Sequence, residues 1–243
     1  LPDVDKALAA TRQPSVRIAA ASGAPLAAYG DIHGPAVHLD TLPGALIQAV
    51  LATEDRRFYH HYGVDPIGLV RAVVANVRAG RIVQGASTIT QQVAKNLFLT
   101  PERTVKRKVQ EVLLALWLEN KFSKDQILTV YLNRVYLGAG VFGVEAAAKR
   151  YFGRPARRLS LYQAALLAGL LKAPSRYNPA RHPDRAAGRT AQVLANMVDA
   201  GAITPDEARR AKGSRRTAGA RKGRTGRHFA DWVLEQVSSY VSD

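Results

Sequence analysis

Three capping boxes in the second half of the sequence constrain its fold more than any other feature. In a capping box, a Ser or Thr side chain accepts a hydrogen bond from the backbone N–H of the residue three positions later. The Gln or Glu side chain at that later position accepts one from the backbone N–H of the Ser or Thr, and a helix starts there. The pairs are Ser123 with Gln126, Ser160 with Gln163, and Thr204 with Glu207. Apolar residues at helical spacing follow each pair. The sequence therefore predicts a mainly helical chain from about Leu42 onward.

Two further helix starts are predicted by an N-cap residue followed by proline, whose fixed φ suits the first helical position. Asp65-Pro66 begins one of these helices, with Gly80 at its C-cap, and Thr100-Pro101 begins the other. Residues 14–30 hold two short strand-like runs around a Ser22-Gly23 turn, which predicts a β-hairpin. We expect a lead-in with this hairpin over residues 1–41, a helical domain over 42–212, and a basic linker over 213–243.

The 243-residue chain has a formal net charge of +16 and no cysteine. It can bury a core, but it can form neither a disulfide nor a thiolate metal site. Its apolar runs are shorter than the roughly 20 residues that a membrane-spanning helix needs. The charge favours nucleic acid, anionic lipid headgroups or pyrophosphates as partners. Part of it lies in the tract 209–227, and the helical core shows no recognised nucleic-acid-binding motif, so we expect no nucleic-acid partner.

The acidic pair Glu54-Asp55 follows the apolar run 45–51 and precedes Arg56 and Arg57. Burial raises the pKa of a carboxyl and nearby arginines lower it, and a general base that works near neutral pH needs this balance. In the structural alternative, the two carboxylates cap the next turn and form ion pairs with Arg56 or Arg57. The spacing alone leaves both interpretations open.

A second polar cluster lies on the helix expected after Thr100. Arg103, Arg107 and Glu111 are four residues apart and form one stripe. The roughly opposite side carries Val105, Val109, Val112 and Leu116. Beyond Val112 the helix is apolar nearly all round, which predicts that this part is buried. Glu111 is then either a functional carboxylate at the start of a buried segment or half of an ordinary Arg–Glu surface pair.

The segment 85–96 joins a turn to a helix and combines hydroxyl, amide and ammonium groups. They belong to Ser87, Thr88, Gln91, Gln92, Lys95 and Asn96. Such groups can hold a sugar by its hydroxyls, and a phosphate by the lysine and the helix N-terminus. The alternative is a solvated loop with an N-cap, and the pattern does not decide between the two.

Four motifs follow one another along the chain. They are Glu54-Asp55-x-x-Phe58-x-x-His61-x-Gly63, Gly85-Ala-Ser-Thr-Ile-Thr-Gln-Gln92, Arg107-Lys108-x-x-Glu111, and Lys124-x-x-Ile127-Leu128-x-x-Tyr131-Leu-Asn133. In this order they closely resemble the peptidoglycan glycosyltransferase domain (glycosyltransferase family 51) of class A penicillin-binding proteins. The resemblance runs from about Leu42 to Lys212, and Arg189-x-x-Gln-Val-Leu matches a fifth motif loosely. The family's transpeptidase domain and membrane anchor do not occur in this sequence, so we expect it to be part of a longer bifunctional protein.

The resemblance implies a bilobed, lysozyme-like helical fold that polymerises lipid II into β-1,4-linked glycan strands. The growing chain on polyprenyl pyrophosphate is the donor, lipid II supplies the acceptor 4-hydroxyl, the anomeric configuration inverts, and polyprenyl pyrophosphate leaves. Glu54 matches the family's general base, and Glu111 matches its second glutamate. Substrate-site positions, including those that support the motifs, are implied for Asp55, His61, Ser87, Thr88, Gln91, Gln92, Lys95, Asn96, Arg103, Arg107, Lys108 and Arg189.

The resemblance implies no obligatory cofactor and allows a divalent cation, Mg²⁺ or Mn²⁺, at Glu111. It implies a location at the outer face of the bacterial cytoplasmic membrane, with lipid II, the membrane surface and cell-wall synthesis proteins as partners, and moenomycin as inhibitor. A lysozyme-like hydrolase would share the fold and a glutamate. Its neutral alcohol leaving group would give no role to Lys95, Arg103 and Arg107.

A lipid-borne substrate also requires a membrane-facing surface. Residues 67–83 combine apolar side chains with Arg71, Arg78 and Arg81, a composition typical of an amphipathic helix at a membrane interface. The alternative is a core helix with solvated arginines, and the resemblance favours the interfacial interpretation. The expected membrane-facing residues are Ile67, Val70, Val74, Val77 and Phe98.

Overall fold

Helices make up most of the described chain, which confirms the predicted mainly helical fold. The computed structural model describes residues 16–19, 21, 25–29, 31–81, 85, 87–99 and 104–214. Within these residues the α-helices are α1 (Gly44–Glu54), α2 (Pro66–Ala79), α3 (Ile89–Phe98), α4 (Val105–Lys121), α5 (Lys124–Arg134), α6 (Val144–Phe152), α7 (Leu161–Leu170), α8 (Pro183–Asp199) and α9 (Pro205–Gly213). Short 3-10 turns occur at Leu39–Thr41, Phe58–His60 and Ala156–Arg158.

The predicted capping boxes are present at the starts of α5, α7 and α9. A fourth, which we did not predict, begins α3, where Thr88 and Gln91 exchange hydrogen bonds. Helix α2 has the expected Pro66 at its start and Gly80 in the left-handed conformation at its end, but Asp65 makes no capping hydrogen bond. Helix α4 begins at Val105 with Thr104 as its N-cap, and the start predicted at Thr100-Pro101 lies outside the described residues.

The predicted hairpin strands are present as β1 (Val16–Ala19) and β2 (Pro25–Tyr29), which pair antiparallel. The turn expected at Ser22-Gly23 lies outside the described residues. A second pair, β3 (Ile32–His33) and β4 (Val141–Phe142), is parallel and was not predicted. Two-residue strands carry too little pattern to be recognised from sequence.

The core joins two sets of helices. Helix α7 is buried along its whole length and packs against α1 and α8, while α3 packs against α4 and α5. Leu46 of α1, Leu167 of α7 and Val193 of α8 are almost completely buried at the first of these contacts. Because α1 ends at Glu54, this packing fixes the position of that carboxylate.

Helix α4 packs against the protein through the face that carries Glu111. Its buried residues are Glu111, Ala115 and Leu118, so the face that carries the glutamate points into the protein. The valines at 105 and 109 are 83% and 55% exposed, and the segment predicted to be buried includes Leu113 and Trp117 at 61% and 45% exposure. The prediction of burial beyond Val112 is therefore wrong for Leu113, Leu116 and Trp117, while Ala115 and Leu118 are buried. Periodicity shows which side chains share a face, but not which face meets the protein.

Helix α2 contacts the protein through small residues. Gly68 and Ala72 are buried, while the apolar residues around them are exposed. The exposed set is Ile67, Leu69, Val70, Val73, Val74 and Val77, at 41% to 75% of their surface. This exposure excludes the core-helix alternative, because a core helix would bury these side chains.

Candidate active site

Glu54, the last residue of α1, lies in a largely desolvated position. Its carboxylate accepts a hydrogen bond of 3.0 Å from Nε2 of Gln92 on α3. Burial is the main reason why its pKa is raised above the usual value, and the neighbouring Asp55 charge adds to the effect. The Gln92 hydrogen bond and the positive charges of Arg189 and Lys172 act in the opposite direction. The net effect is a carboxyl whose proton affinity is increased, which suits a general base.

The buried phenol of Tyr131 fixes the orientation of the Gln92 amide. Its hydroxyl donates to Oε1 of Gln92 at 3.1 Å. An amide that accepts on its oxygen side presents its NH₂ group on the other side, which is where Glu54 lies. Because Tyr131 is 1% exposed, water cannot readily replace this contact. Three helices, α1, α3 and α5, therefore combine to orient one carboxylate.

The arginines next to Glu54 pair with other residues, which contradicts the structural alternative for the acidic pair. Arg57 Nε lies 3.3 Å from Asp65 Oδ1, and Arg56 Nη2 lies 3.9 Å from Asp199 Oδ2. Within the described part of the chain, neither arginine forms an ion pair with Glu54. The positive charges that act on Glu54 come instead from Lys172 and Arg189, which are distant in sequence.

Asp55 is a buried support between α1 and α3. Both of its carboxylate oxygens lie 3.0 Å from Nε2 of His61, and Oδ2 also accepts from the backbone N–H of Ile89 at 3.0 Å. Ile89 is the first residue of α3, where backbone N–H groups lack partners within the helix and negative charge is favoured. Asp55 and His61 thus connect the segment after Glu54 to the helix that carries Gln92.

The start of α3 is attached to the same segment by a second contact. Thr88, which is buried, donates its hydroxyl to the carbonyl of Gly63 at 2.6 Å and accepts from the N–H of Gln91. Gly63 has φ = 73°, and a Cβ there would lie 3.1 Å from the backbone of Ala115 in α4. The N-cap of the alternative interpretation is therefore present, because Thr88 and Gln91 form a capping box, but both residues are buried and do not lie in a solvated loop.

Glu111 is buried on the inner face of α4 and pairs with Lys108 one turn earlier. The Lys108 ammonium also donates to the hydroxyl of Ser87 at 3.2 Å, which joins α4 to the residues before α3. The Arg–Glu surface pair considered from the sequence is therefore not formed.

The Mg²⁺ or Mn²⁺ that the resemblance allows at Glu111 stays a prediction. Mg²⁺ and Mn²⁺ prefer several oxygen ligands. Among the described residues, no group of three His, Asp or Glu side chains could hold a metal ion. The Glu111 carboxylate lies against the Lys108 ammonium.

The remaining predicted site residues lie on α3, α4 and α8. Lys95 is half-buried and Asn96 is exposed on α3, while Arg107 is half-buried on α4. Arg189 on α8 donates from Nε to the carbonyl of Gly169 at 3.4 Å. Arg103 lies outside the described residues.

Sequence analysis missed Tyr131 and Lys172 as residues that act on Glu54. Tyr131 stands in the quoted Tyr131-Leu-Asn133 motif, and its position on α5 within reach of Gln92 could have suggested a role. Lys172 follows α7 and belongs to none of the motifs, so the sequence gives no signal for it.

Comparison with known proteins agrees with this fold. Residues 22–198 match the family described as Transglycosylase. Penicillin-binding protein 1A of Aquifex aeolicus (strain VF5) is 52% identical over 205 residues, covering 84% of this chain and 28% of that protein. Penicillin-binding protein 1A of Escherichia coli (strain K12) is 47% identical over 207 residues, covering 85% of this chain and 24% of that protein.

The crystal structure of penicillin-binding protein 1A from Haemophilus influenzae shares the fold, with a TM-score of 0.56 at 23% identity. That match covers 95% of this chain and 25% of the other. This chain thus spans roughly a quarter of the length of the relatives it matches. The family match extends over the helices that carry Glu54, Gln92, Glu111 and Arg189. The chain therefore belongs to the transglycosylase family, whose enzymes transfer glycosyl groups in peptidoglycan synthesis.

Proposed function

We propose that this chain polymerises lipid II into β-1,4-linked glycan, with Glu54 as the general base. The observation that carries the proposal is the Tyr131–Gln92–Glu54 chain of hydrogen bonds, which orients a single carboxylate of increased proton affinity. A base of this kind can take a hydroxyl proton near neutral pH and can release it afterwards.

In the proposed step, Glu54 takes the proton of the acceptor's 4-hydroxyl as its oxygen attacks the anomeric carbon of the donor. The new C–O bond forms on the face opposite the bond that breaks, so the configuration inverts. The electron pair of the broken bond leaves with the pyrophosphate on its polyprenyl carrier. The proton on Glu54 then returns to solvent, which regenerates the base.

The departing pyrophosphate needs positive groups near the atoms where charge develops. Lys95 on α3 and the pair Arg107-Lys108 on α4 supply them, and these two helices pack against each other. Glu111 holds the Lys108 ammonium next to Ser87 and is thereby a positioning residue for this cationic group. A hydrolase that releases a neutral alcohol would need a proton donor at this place rather than cations.

Two exposed apolar faces support a membrane-associated substrate. The apolar residues of α2 alternate with Arg71 and Arg78, a pattern suited to lipid headgroups. The outer face of α4 adds Val105, Val109 and Leu113. The rings of Phe98 and Trp117, with centroids 6.1 Å apart, connect α3 to this face. Exposed apolar patches of this kind mark interaction surfaces, and we propose the outer leaflet of the cytoplasmic membrane as the partner. No described helix is long and apolar enough to cross a bilayer.

The test is incubation of the purified chain with fluorescent lipid II in detergent, followed by separation of the products on a gel. A ladder of products that moenomycin suppresses is expected from the wild type, and none from Glu54→Gln. Shortened fragments from preformed glycan, without a ladder from lipid II, would instead identify a hydrolase. Undiminished polymerisation by a folded Glu54→Gln variant would exclude Glu54 as the base.

A further inference from the structure

A shallow cavity of about 350 Å³ lies between α8 and the residues that follow α7. Its lining is Arg176, Tyr177, Arg185, Gly188, Arg189 and Gln192. We call it the arginine pocket. Three of its six lining residues carry guanidinium groups and none carries a carboxylate, so the pocket is strongly electropositive. It also borders the active site, because Arg189 acts electrostatically on Glu54.

The guanidinium groups of the arginine pocket form no ion pair within 4 Å among the described residues. Ion pairs within 4 Å occupy other arginines, such as Arg56 and Arg57, but not Arg176, Arg185 or Arg189. Arginines that converge on one cavity repel one another unless an anion is present. This arrangement favours binding of an oxyanion.

The ring of Tyr177 orients two of these groups. The guanidinium carbon of Arg176 lies 5.8 Å from the ring centroid and that of Arg189 lies 6.0 Å from it. Cation–π contacts at this distance are favourable and restrict the guanidinium planes. The aliphatic part of Arg189 packs closely against Gly169, which restricts it further. A Cβ added to Gly169 would lie only 3.1 Å from Arg189 Cγ. The pocket therefore has a partly fixed geometry before any ligand arrives.

Gly188 indicates that the wall of the pocket is open to a ligand. It lies inside α8, where glycine costs about 1 kcal/mol relative to alanine. A Cβ at this position would meet no heavy atom within 4 Å, so packing does not require glycine there. A glycine that packing does not require, in the wall of a cationic cavity, leaves room for close approach of a ligand.

We infer that the arginine pocket binds the carboxylates of the peptide carried by the glycan substrate. The inference rests on the proposed function, since peptidoglycan precursors bear a short peptide with free carboxylates beside the reacting sugars. Arg189 lines the pocket, and its positive charge also acts on Glu54, so the pocket borders the base. A peptide bound in the pocket would therefore be the one attached to the sugar that reaches Glu54. Peptide recognition would thereby contribute to substrate specificity.

Arginine can hold a carboxylate or a phosphate, and the experiment below distinguishes the two. The planar fork of arginine matches the two oxygens of a carboxylate, and the pocket is lined by arginine without lysine. Lys108 contacts Ser87 just before the start of α3, and neither Lys108 nor Lys95 lines the pocket. The two kinds of anion thus have separate candidate sites.

The test compares lipid II with free peptide carboxylates to lipid II in which they are amidated, on the full chain and three variants. Arg185→Gln removes one cation. Gly188→Leu places a side chain at the wall of the cavity, where a Cβ would meet no heavy atom within 4 Å. Arg181→Gln is the control for an exposed arginine outside the lining. Loss of a charge-assisted hydrogen bond in Arg185→Gln is expected to raise KM for the carboxylate substrate about tenfold, with little change in kcat. Gly188→Leu should raise KM similarly, because its side chain occupies the space of the carboxylate. The amidated substrate should be bound about equally by all four proteins.

Equal increases in KM for both substrates would overturn the inference, because the bound anion would then be common to both, as the pyrophosphate is. Unchanged KM values would overturn it as well. If the wild type makes no polymer, the proposed function fails, and the pocket is tested separately by titrating the chain with a short peptide and its amidated form. Binding of the free-carboxylate peptide that Arg185→Gln weakens supports the inference, and its absence contradicts it.

Discussion

The hydroxyl of Tyr131 lies 3.1 Å from the amide oxygen of Gln92, 39 residues earlier in the chain. This contact determines which end of the amide faces Glu54. Without it, Gln92 could present its oxygen to the carboxylate and repel the ionised form that a base requires. Activity should therefore depend on a phenol that we do not expect to touch the substrate.

Replacement of Tyr131 by phenylalanine should show this dependence. The Gln92 amide would be free to rotate, its stabilisation of ionised Glu54 would weaken, and the raised pKa of Glu54 would rise further. Because the base must be deprotonated, the acidic limb of the kcat profile should move to higher pH, with kcat near neutral pH reduced about tenfold. Initial rates measured across pH provide the test.

Tyr151→Phe is the matched control, since the buried Tyr151 hydroxyl donates to the carbonyl of Leu137 at 2.9 Å. Both variants lose one buried hydrogen bond, but only Tyr131→Phe should shift the pH profile. A shift of similar size in Tyr151→Phe would show that the effect is general destabilisation.

Glu54→Gln should lower kcat by about 10²- to 10⁴-fold, the usual contribution of a general base. The same change should stabilise the folded chain near pH 7. A carboxyl whose pKa is raised on folding binds its proton more tightly in the folded state, so its ionisation costs stability as pH rises. The gain in Tm should be largest above the raised pKa of Glu54 and should shrink as pH falls from there to the usual carboxyl pKa, below which it is absent. A Glu54→Gln variant that is no more stable than the wild type at pH 7 would contradict the raised pKa of Glu54.

Lys108→Met should separate the role of a cation from that of a structural support. The change leaves Glu111 buried without its partner, so the free energy of unfolding should fall by about 1–3 kcal/mol. Donor binding should weaken in addition, which moenomycin affinity measures. Lys149→Met is the control, since Lys149 forms a comparable one-turn pair with Glu145 on α6. It should lose stability without losing moenomycin affinity.

Gly63→Ala should disturb the contact between the segment after Glu54 and α4. Alanine is strained at φ = 73°, and its Cβ would lie 3.1 Å from the Ala115 carbonyl. Gly80 has a similar φ of 61° with open space around it, so Gly80→Ala should show the backbone strain alone, about 1 kcal/mol. Chemical denaturation should find Gly63→Ala less stable than Gly80→Ala. Equal losses would mean that the Ala115 contact relaxes at no cost.

The exposed apolar faces predict vesicle binding that charge should abolish. Val70→Asp on α2 and Leu113→Asp on α4 place a carboxylate on side chains that are 63% and 61% exposed, so folding should be unaffected. Co-sedimentation with anionic vesicles should decrease strongly for both. Ala195→Asp, an exposed position on α8, serves as control. Unchanged binding of the two apolar-face variants would leave the basic residues as the source of membrane affinity.

Local signals in the sequence predicted much of the helical structure. The capping boxes at Ser123, Ser160 and Thr204 each join residues three positions apart, so their formation does not depend on contacts with distant parts of the chain. The environment of Glu54 depends on Gln92, Tyr131 and Arg189, which come from three other helices, and no local pattern encodes their meeting. The family motifs identified Glu54 and Gln92 but not Tyr131 as a hydrogen-bond donor.

The orientation of α4 shows a different limit of sequence analysis. In water, an apolar stripe is expected to face the protein, and Val105, Val109 and Leu113 do not. The expectation assumes that water surrounds the protein on all sides. A helix whose polar face lines a site and whose apolar face meets lipid inverts the pattern.

The outward apolar faces of α2 and α4 also bear on how the protein behaves once purified. A mild amphiphile that binds these faces more tightly than it binds the unfolded chain adds stability by mass action. Thermal stability should therefore rise with detergent concentration until the faces are covered. When detergent is diluted below the micellar range, copies of the chain should associate through the same surfaces. Detergent thus acts as a ligand of the folded state.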